Sequence, residues 1–220
     1  MDMNRFKQIG LVLATVGVLS SGLAQAGLES RAGGTMVYDN VLNITWLANA
    51  NQGAGSSFDD GSPTSDGRMT WQNAVKWADN LNYGGYTDWR LPTALNQDGT
   101  GPCYGYSCNS SEMGHLFSTD GELISGQSIT TSATLNSYFT NMQSGLYWSG
   151  TAYAPNPASF TWGFYTSFGY QDFNFQNYEY YAWAVRPGDV AAPIPEPETY
   201  AMLLAGLGLL GVVAKRKKSA

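Results

Sequence analysis

Nine consecutive residues, Gly85-Tyr86-Thr87-Asp88-Trp89-Arg90-Leu91-Pro92-Thr93, constrain the fold more than any other part of the chain. Gly84-Gly85 is a turn pair that tolerates positive φ. Trp89-Arg90-Leu91 reads as a short strand, with Trp89 and Leu91 on one face and Arg90 on the other. Pro92 donates no ladder hydrogen bond and holds Leu91 extended, so the strand ends there. Arg90 and Arg186 each sit in a strand beside a proline, and both are expected to pair with buried acids such as Asp88 or Asp189. Just upstream, Thr70 is positioned to cap a helix from Trp71 to Leu81. Trp71, Ala74, Val75, Ala78 and Leu81 share one side of it, and Trp77 falls near the boundary. Core packing is the ordinary role of both tryptophans, with sugar stacking as the functional alternative.

The flanking chain reads mainly as strands. Gly27 to Gly34 has the composition of a flexible lead-in. Thr35–Tyr38 and Ile44–Leu47 form a hairpin around the turn Asp39-Asn40-Val41-Leu42-Asn43. Leu146–Thr151 and Ser159–Gly169 read as strands, Gln171–Asn177 as a polar turn region, and Tyr181–Gly188 as a closing strand with Tyr181, Trp183 and Val185 on one face. Ser110 or Ser111 caps a short helix, Glu112–Phe117. It carries the only histidine, His115, expected near the domain edge. No nucleophile elbow, HExxH, P-loop or dinucleotide fingerprint is present.

Four of these stretches resemble, in order, motifs of the Lcl C-terminal domain family: the Tyr38-Asp39 turn leading to Thr45-Trp46-Leu47, the Gly85–Thr93 signature, Tyr147-Trp148-Ser149-Gly150-Thr151, and Ala184-Val185-Arg186-Pro187-Gly188. The resemblance covers residues 35–190. It implies a relation to the C-type-lectin-like superfamily: an α+β domain with one or two helices on a small, mostly antiparallel sheet and long loops on one side. That superfamily also contains formylglycine-generating enzymes, whose chemistry needs reactive cysteines. The chain departs from the short family members at Ala94–Ser110, where an inserted loop holds Cys103 and Cys108. In an exported protein a Cys-x₄-Cys pair closes a small disulfide loop, so no enzyme is expected here.

The two ends read as addresses. Residues 1–26 have the parts of a secretory signal peptide: Arg5 and Lys7, an apolar run from Ile9 to Leu19, and a cleavage pattern at Ala24-Gln25-Ala26. Signal peptidase is the expected partner. At the other end, residues 191–199 are Pro-rich and contain Pro195-Glu196-Pro197. Residues 200–214 form an apolar transmembrane segment, and residues 215–220 carry Lys215-Arg216-Lys217-Lys218. The positive-inside rule keeps that basic cluster cytoplasmic. Motif, helix and basic tail together resemble the PEP-CTERM sorting signal of Gram-negative bacteria. The resemblance implies cleavage by an exosortase and, for the mature protein, the cell surface or the extracellular matrix of a biofilm.

Charge then narrows the ligands. Formal net charge is −6. Removing both ends takes away two acids (Asp2, Glu198) and six bases (Arg5, Lys7, Lys215, Arg216, Lys217, Lys218), leaving the span Gly27–Pro197 at −10. Such a domain repels nucleic acid and other polyanions at long range. Charged residues make up only 13% of the chain against 14% aromatics, a surface suited to polar polymers such as exopolysaccharide or glycan. The candidate ligand surface is Tyr104, Tyr106, Trp162, Tyr165 and Tyr170, since aromatic faces stack on sugars. Asp59, Asp60 and Asp66 lie in a Gly/Ser-rich loop and are candidate calcium ligands. No other cofactor is implied. The expectation is a non-catalytic binding or adhesion module, with a structural matrix component as the alternative and a divergent enzyme as the weaker one.

Overall fold

A computed structural model describes residues 27–190. The signal peptide with Ala24 and Ala26, the sorting motif Pro195-Glu196-Pro197, the apolar segment 200–214 and the basic tail lie outside the described residues. No helix among the described residues is long and apolar enough to cross a membrane.

In chain order the elements are β1 (Leu28–Arg31), β2 (Met36–Asp39), β3 (Ile44–Leu47), β4 (Arg68–Met69), α1 (Trp71–Asp79), β5 (Gly105–Tyr106), α2 (Glu112–His115) followed by a wide π turn over Leu116–Asp120, α3 (Ala133–Tyr138), β6 (Leu146–Ala152), β7 (Phe160–Tyr165), β8 (Tyr170–Phe175), β9 (Tyr180–Tyr181) and β10 (Val185–Pro187). They build two sheets, ordered β1-β2-β3-β10 and β4-β9-β6-β7-β8-β5. Every pairing is antiparallel except β6 with β9. The fold is thus α+β, sheet-rich with few helices.

The β2–β3 hairpin forms because Asp39 builds its own turn: Oδ1 accepts the N–H groups of Val41 and Leu42, both at 2.9 Å. Asn43 completes the turn at φ 53°, a conformation asparagine tolerates. Gly27–Gly34 is not a loose lead-in. Residues 28–31 form β1 on the outer edge of β2, where Arg31 reaches Glu29 at 2.6 Å and Asp189 at 2.8 Å.

The core lies where the two sheets and α1 meet. Trp46, Trp148, Trp183 and Tyr147 are fully buried. Trp183 receives the edges of Trp46 (5.2 Å) and Phe139 (5.0 Å). Two of the three indole N–H groups are satisfied as they go in: Trp183 Nε1 donates to the Leu47 carbonyl and Trp148 Nε1 to the Met69 carbonyl, both at 2.8 Å, while Trp46 Nε1 is buried without a partner. Thr70 has N-cap backbone geometry, but its hydroxyl donates to Asp60 instead of capping the helix. Trp77 turns out buried at 4% exposure, while Trp71 and Val75 are half-buried.

Several expectations are corrected. The Trp89–Leu91 strand shrinks to one bridge, Arg90 to Val185, with 2.8 Å bonds in both directions; Pro92 leaves room for no more. Trp89 and Leu91 do go inward, at 2% and 4% exposure. Gln171–Asn177 is not a turn region: Gln171, Phe173 and Phe175 alternate with Tyr170, Asp172 and Asn174 along β8, and the reversal comes earlier, at Gly169 with φ 73°. The expected closing strand Tyr181–Gly188 divides between sheets. Its two ends are β9 and β10, and Ala182-Trp183-Ala184 crosses the core between them, every side chain buried. His115 is not at an edge; it is 6% exposed.

Arg186 forms a bidentate pair with Asp88 (2.8 and 2.9 Å) and lies 4.2 Å from the ring centre of Tyr86. Asp88 is not a buried acid, however, since its side chain is 48% exposed. Arg90 takes neither Asp88 nor Asp189. Its partner is Glu112, at 2.8 and 2.6 Å.

Candidate functional site

The aromatic residues singled out from the sequence gather around the β7-β8-β5 edge of the larger sheet. Register assigns their faces. Trp162 stands opposite Phe173, and Phe160 opposite Phe175, on one side; Tyr165 stands opposite Tyr170, which stands opposite Tyr106, on the other. Tyr104 sits at the rim between the two sets, with ring centres 6.4 Å from Trp162, 6.0 Å from Phe173 and 5.7 Å from Tyr170.

The five residues therefore have different roles. Trp162 is only 5% exposed and supports the rim instead of presenting a surface. Tyr104 and Tyr106 are open to solvent, at 60% and 53%. Tyr106 packs edge-on against Tyr170 at 4.7 Å, and Tyr165 stacks on Phe168 at 5.2 Å with a 15° interplanar angle. On the same face Asn174 Oδ1 accepts from the hydroxyls of Tyr165 and Tyr180 at 3.3 and 3.4 Å. A hydrogen bond with Tyr104 pushes the Tyr170 hydroxyl up to about 12, so Tyr170 remains a neutral donor and acceptor across the ordinary pH range.

The short segment that carries Tyr104 and, on β5, Tyr106 is well anchored. Cys103 and Cys108 are joined by a disulfide around it. Gly105, at φ 105°, provides the bend between the two tyrosines. The buried Gln171 amide donates to the Cys103 carbonyl at 2.7 Å and the Ala94 carbonyl at 3.1 Å, tying the loop to β8.

The three loop aspartates do not converge. Asp59 Oδ2 accepts the N–H groups of Gly55 (2.8 Å) and Gly67 (2.9 Å). Asp60 accepts from the Thr70 N–H and hydroxyl. Asp66 holds Arg68, at 2.6 Å. Each carboxylate braces a different piece of the loop.

A second concavity, of about 390 Å³, lies between α1 and the nine-residue signature. Trp71, Val75 and Asp79 form one wall, Arg90, Leu91 and Thr93 another, and Gly150-Thr151 the floor. Sequence reading did not anticipate this cleft, because its walls come from three separate motifs. The motifs also lock one another. Glu112 accepts from Arg90 and from the Thr93 N–H (2.8 Å), Ala94 N–H donates to Thr151 Oγ1 (3.0 Å), and Gly150 N–H to the Pro92 carbonyl (2.9 Å). Burial works against the Arg90 charge, but the Glu112 hydrogen bonds outweigh it and keep the guanidinium firmly protonated. The signature thus clamps neighbouring parts of the fold together and forms one wall of the cleft.

Two family models match the sequence. The Lcl C-terminal domain matches residues 35–186, and the PEP-CTERM protein-sorting motif matches residues 193–218. No curated protein matches the chain. The sorting motif marks an exported, exosortase-processed protein of Gram-negative bacteria. Covering most of the chain, the first match is consistent with all four motifs whose packing is described above, and the chain belongs to the Lcl C-terminal domain family.

Proposed function

We propose that this exported protein is a non-catalytic binding module of the extracellular matrix, and that it grips polysaccharide with the aromatic rim of its larger sheet. The observation that carries the reading is the pair Tyr104 and Tyr106, 60% and 53% exposed on the disulfide-anchored segment that forms the edge strand β5 and the residue before it. A contiguous patch of large aromatic side chains left in solvent calls for a partner. Here the rings are held before any ligand arrives, so little ordering free energy is lost on binding. Asp172 on the same face offers an acceptor for sugar hydroxyls, and the net negative charge favours a neutral glycan over a sulfated one. A non-catalytic role is supported by the cysteines, which are closed into a disulfide instead of offering thiols. The relation to the C-type-lectin-like superfamily that the family resemblance implies agrees with this reading.

The test is binding of the full chain to a panel of neutral and acidic exopolysaccharides, with Tyr104→Ala/Tyr106→Ala and Trp71→Ala as the comparison. Saturable binding weakened about tenfold by the double tyrosine change, or ~1.4 kcal/mol, is expected, with Trp71→Ala close to wild type. Loss through Trp71→Ala alone would move the site to the α1 cleft. Absence of binding to any polysaccharide would leave a structural matrix component as the better reading.

A further inference from the structure

The sole histidine has unusual company. His115 ends α2, Asp39 ends β2, and Asp120 ends the π turn that follows α2. One ligand atom from each residue lies within 4.8 Å of the other two. All three side chains are buried: Asp39 is 0% exposed, and the His115 and Asp120 side chains are 7% and 4% exposed. Asp39 Oδ2, His115 Nε2 and Asp120 Oδ2 are each sealed from solvent and make no hydrogen bond. His115 Nε2 and Asp120 Oδ2 are 3.7 Å apart, beyond hydrogen-bond reach. Buried polar atoms are nearly always partnered, so three orphans facing one another require an explanation.

The backbone is shaped to bring them together. Residues five apart lie roughly 140° apart around an α-helix of 3.6 residues per turn. The wide turn, closed by Gly121 N–H to the Leu116 carbonyl at 2.9 Å, swings Asp120 back to the side of His115. Asp39 is held from the other direction, because its Oδ1 is already committed to the hairpin turn and only Oδ2 is free.

We propose that Asp39, His115 and Asp120 bind one divalent transition-metal ion of the zinc type, which staples the β2–β3 hairpin to α2. Two carboxylates and a neutral imidazole balance a divalent charge. Without a cation, burial drives the same groups away from their charged forms: both carboxyls are pushed up, Asp120 to about 7, and the imidazole down. The neighbouring charges do not replace the ion. Glu112 is negative, and its own cation, Arg90, is already bidentate with it. An imidazole beside two carboxylates suits zinc, manganese or ferrous iron; calcium wants six to eight oxygens, which this site lacks. Zinc bonds of about 2.0–2.1 Å set tetrahedral ligands roughly 3.3 Å apart, so the ion would draw the three atoms inward.

The experiment adds Co²⁺, then Zn²⁺, to the full chain after chelator treatment. Visible Co²⁺ bands saturating at one equivalent, displaced by Zn²⁺, are expected, together with a melting temperature several degrees higher in Zn²⁺ than in chelator. Asp120→Asn and His115→Gln should each weaken Co²⁺ binding at least tenfold while keeping the near-ultraviolet circular dichroism of the aromatic core. A native chain that shows neither bands nor a zinc-dependent melting shift overturns the proposal. So does a metal that binds equally well to both variants. Polysaccharide binding is read separately, and neither result depends on the other.

Discussion

The chain gathers acidic residues in two places, and the two could hardly differ more. Asp59, Asp60 and Asp66 lie within eight residues of one another in a polar loop, and each spends its oxygens locally on Gly55 and Gly67, on Thr70, and on Arg68. Only Asp59 leaves an oxygen, Oδ1, buried and unused. Asp39, His115 and Asp120 span more than eighty residues, yet converge with three unused atoms. A dense run of aspartates is first of all a way to hold a loop, because short carboxylates take up backbone N–H groups both two to four residues away and across the loop. Candidate ligand sites are recognised by lone pairs that the fold has brought together and left unspent.

The largest effect that separates the two places is expected at Asp39, which both builds its turn and faces the cluster. Asp39→Ala removes two charge-assisted hydrogen bonds to the backbone and should cost about 3 kcal/mol in chelator. Asp39→Asn keeps an oxygen for Val41 and Leu42 and should cost less than half of that in chelator, yet abolish any zinc-dependent gain. Urea unfolding with and without zinc reads both. Equal losses for the two variants in chelator would mean that the turn is not held by Oδ1.

Asp59 is the fairest loop counterpart, being 5% exposed and bonded to two backbone N–H groups. Asp59→Asn retains one acceptor oxygen but weakens both bonds, and a loss of about 1–2 kcal/mol is expected. It should be the same with zinc, with calcium or with chelator. A calcium-dependent difference at this position would revive the loop as a cation site and erase the contrast.

The same contrast explains what could be read in advance. The β2–β3 hairpin, the start of α1 at Trp71, the Ser111 cap of α2 (its side chain accepts from Gly114) and the Cys103–Cys108 bridge all follow from neighbours within a few residues. That Arg186 pairs with an acid is legible from its strand beside a proline, but not which one of Asp88 and Asp189 it takes, nor that Asp88 stays half-exposed. What failed was non-local. The composition of β8 resembles a turn because Asn, Gln and Asp outnumber aliphatics there, whereas Phe173 and Phe175 gain their strand character from Trp162 and Phe160 across the ladder. The sheet switch at Ala182–Ala184 leaves no trace in an alternating apolar run. Arg90 chose Glu112, and His115 met Asp39, through approaches that only the packed core defines.

The smallest effect is expected at Asp66, and it sharpens the comparison from the solvent side. Its side chain is 20% exposed and that of its partner Arg68 is 40% exposed. Burial raises the Asp66 pKa, but the hydrogen bonds from Arg68 outweigh this and hold it below the usual carboxylate value. A carboxyl lowered in the folded state contributes stability above its unfolded pKa and loses it as pH falls through the folded one. Exposure and salt discount that contribution to about 0.5 kcal/mol or less. Asp66→Asn should therefore shift the urea midpoint slightly at pH 7 and low salt, and that shift should fade as pH falls through the lowered Asp66 pKa and vanish in 1 M salt. A larger loss, or one indifferent to pH, would show that Asp66 is supported by more than Arg68 and that the loop is a cooperative network after all.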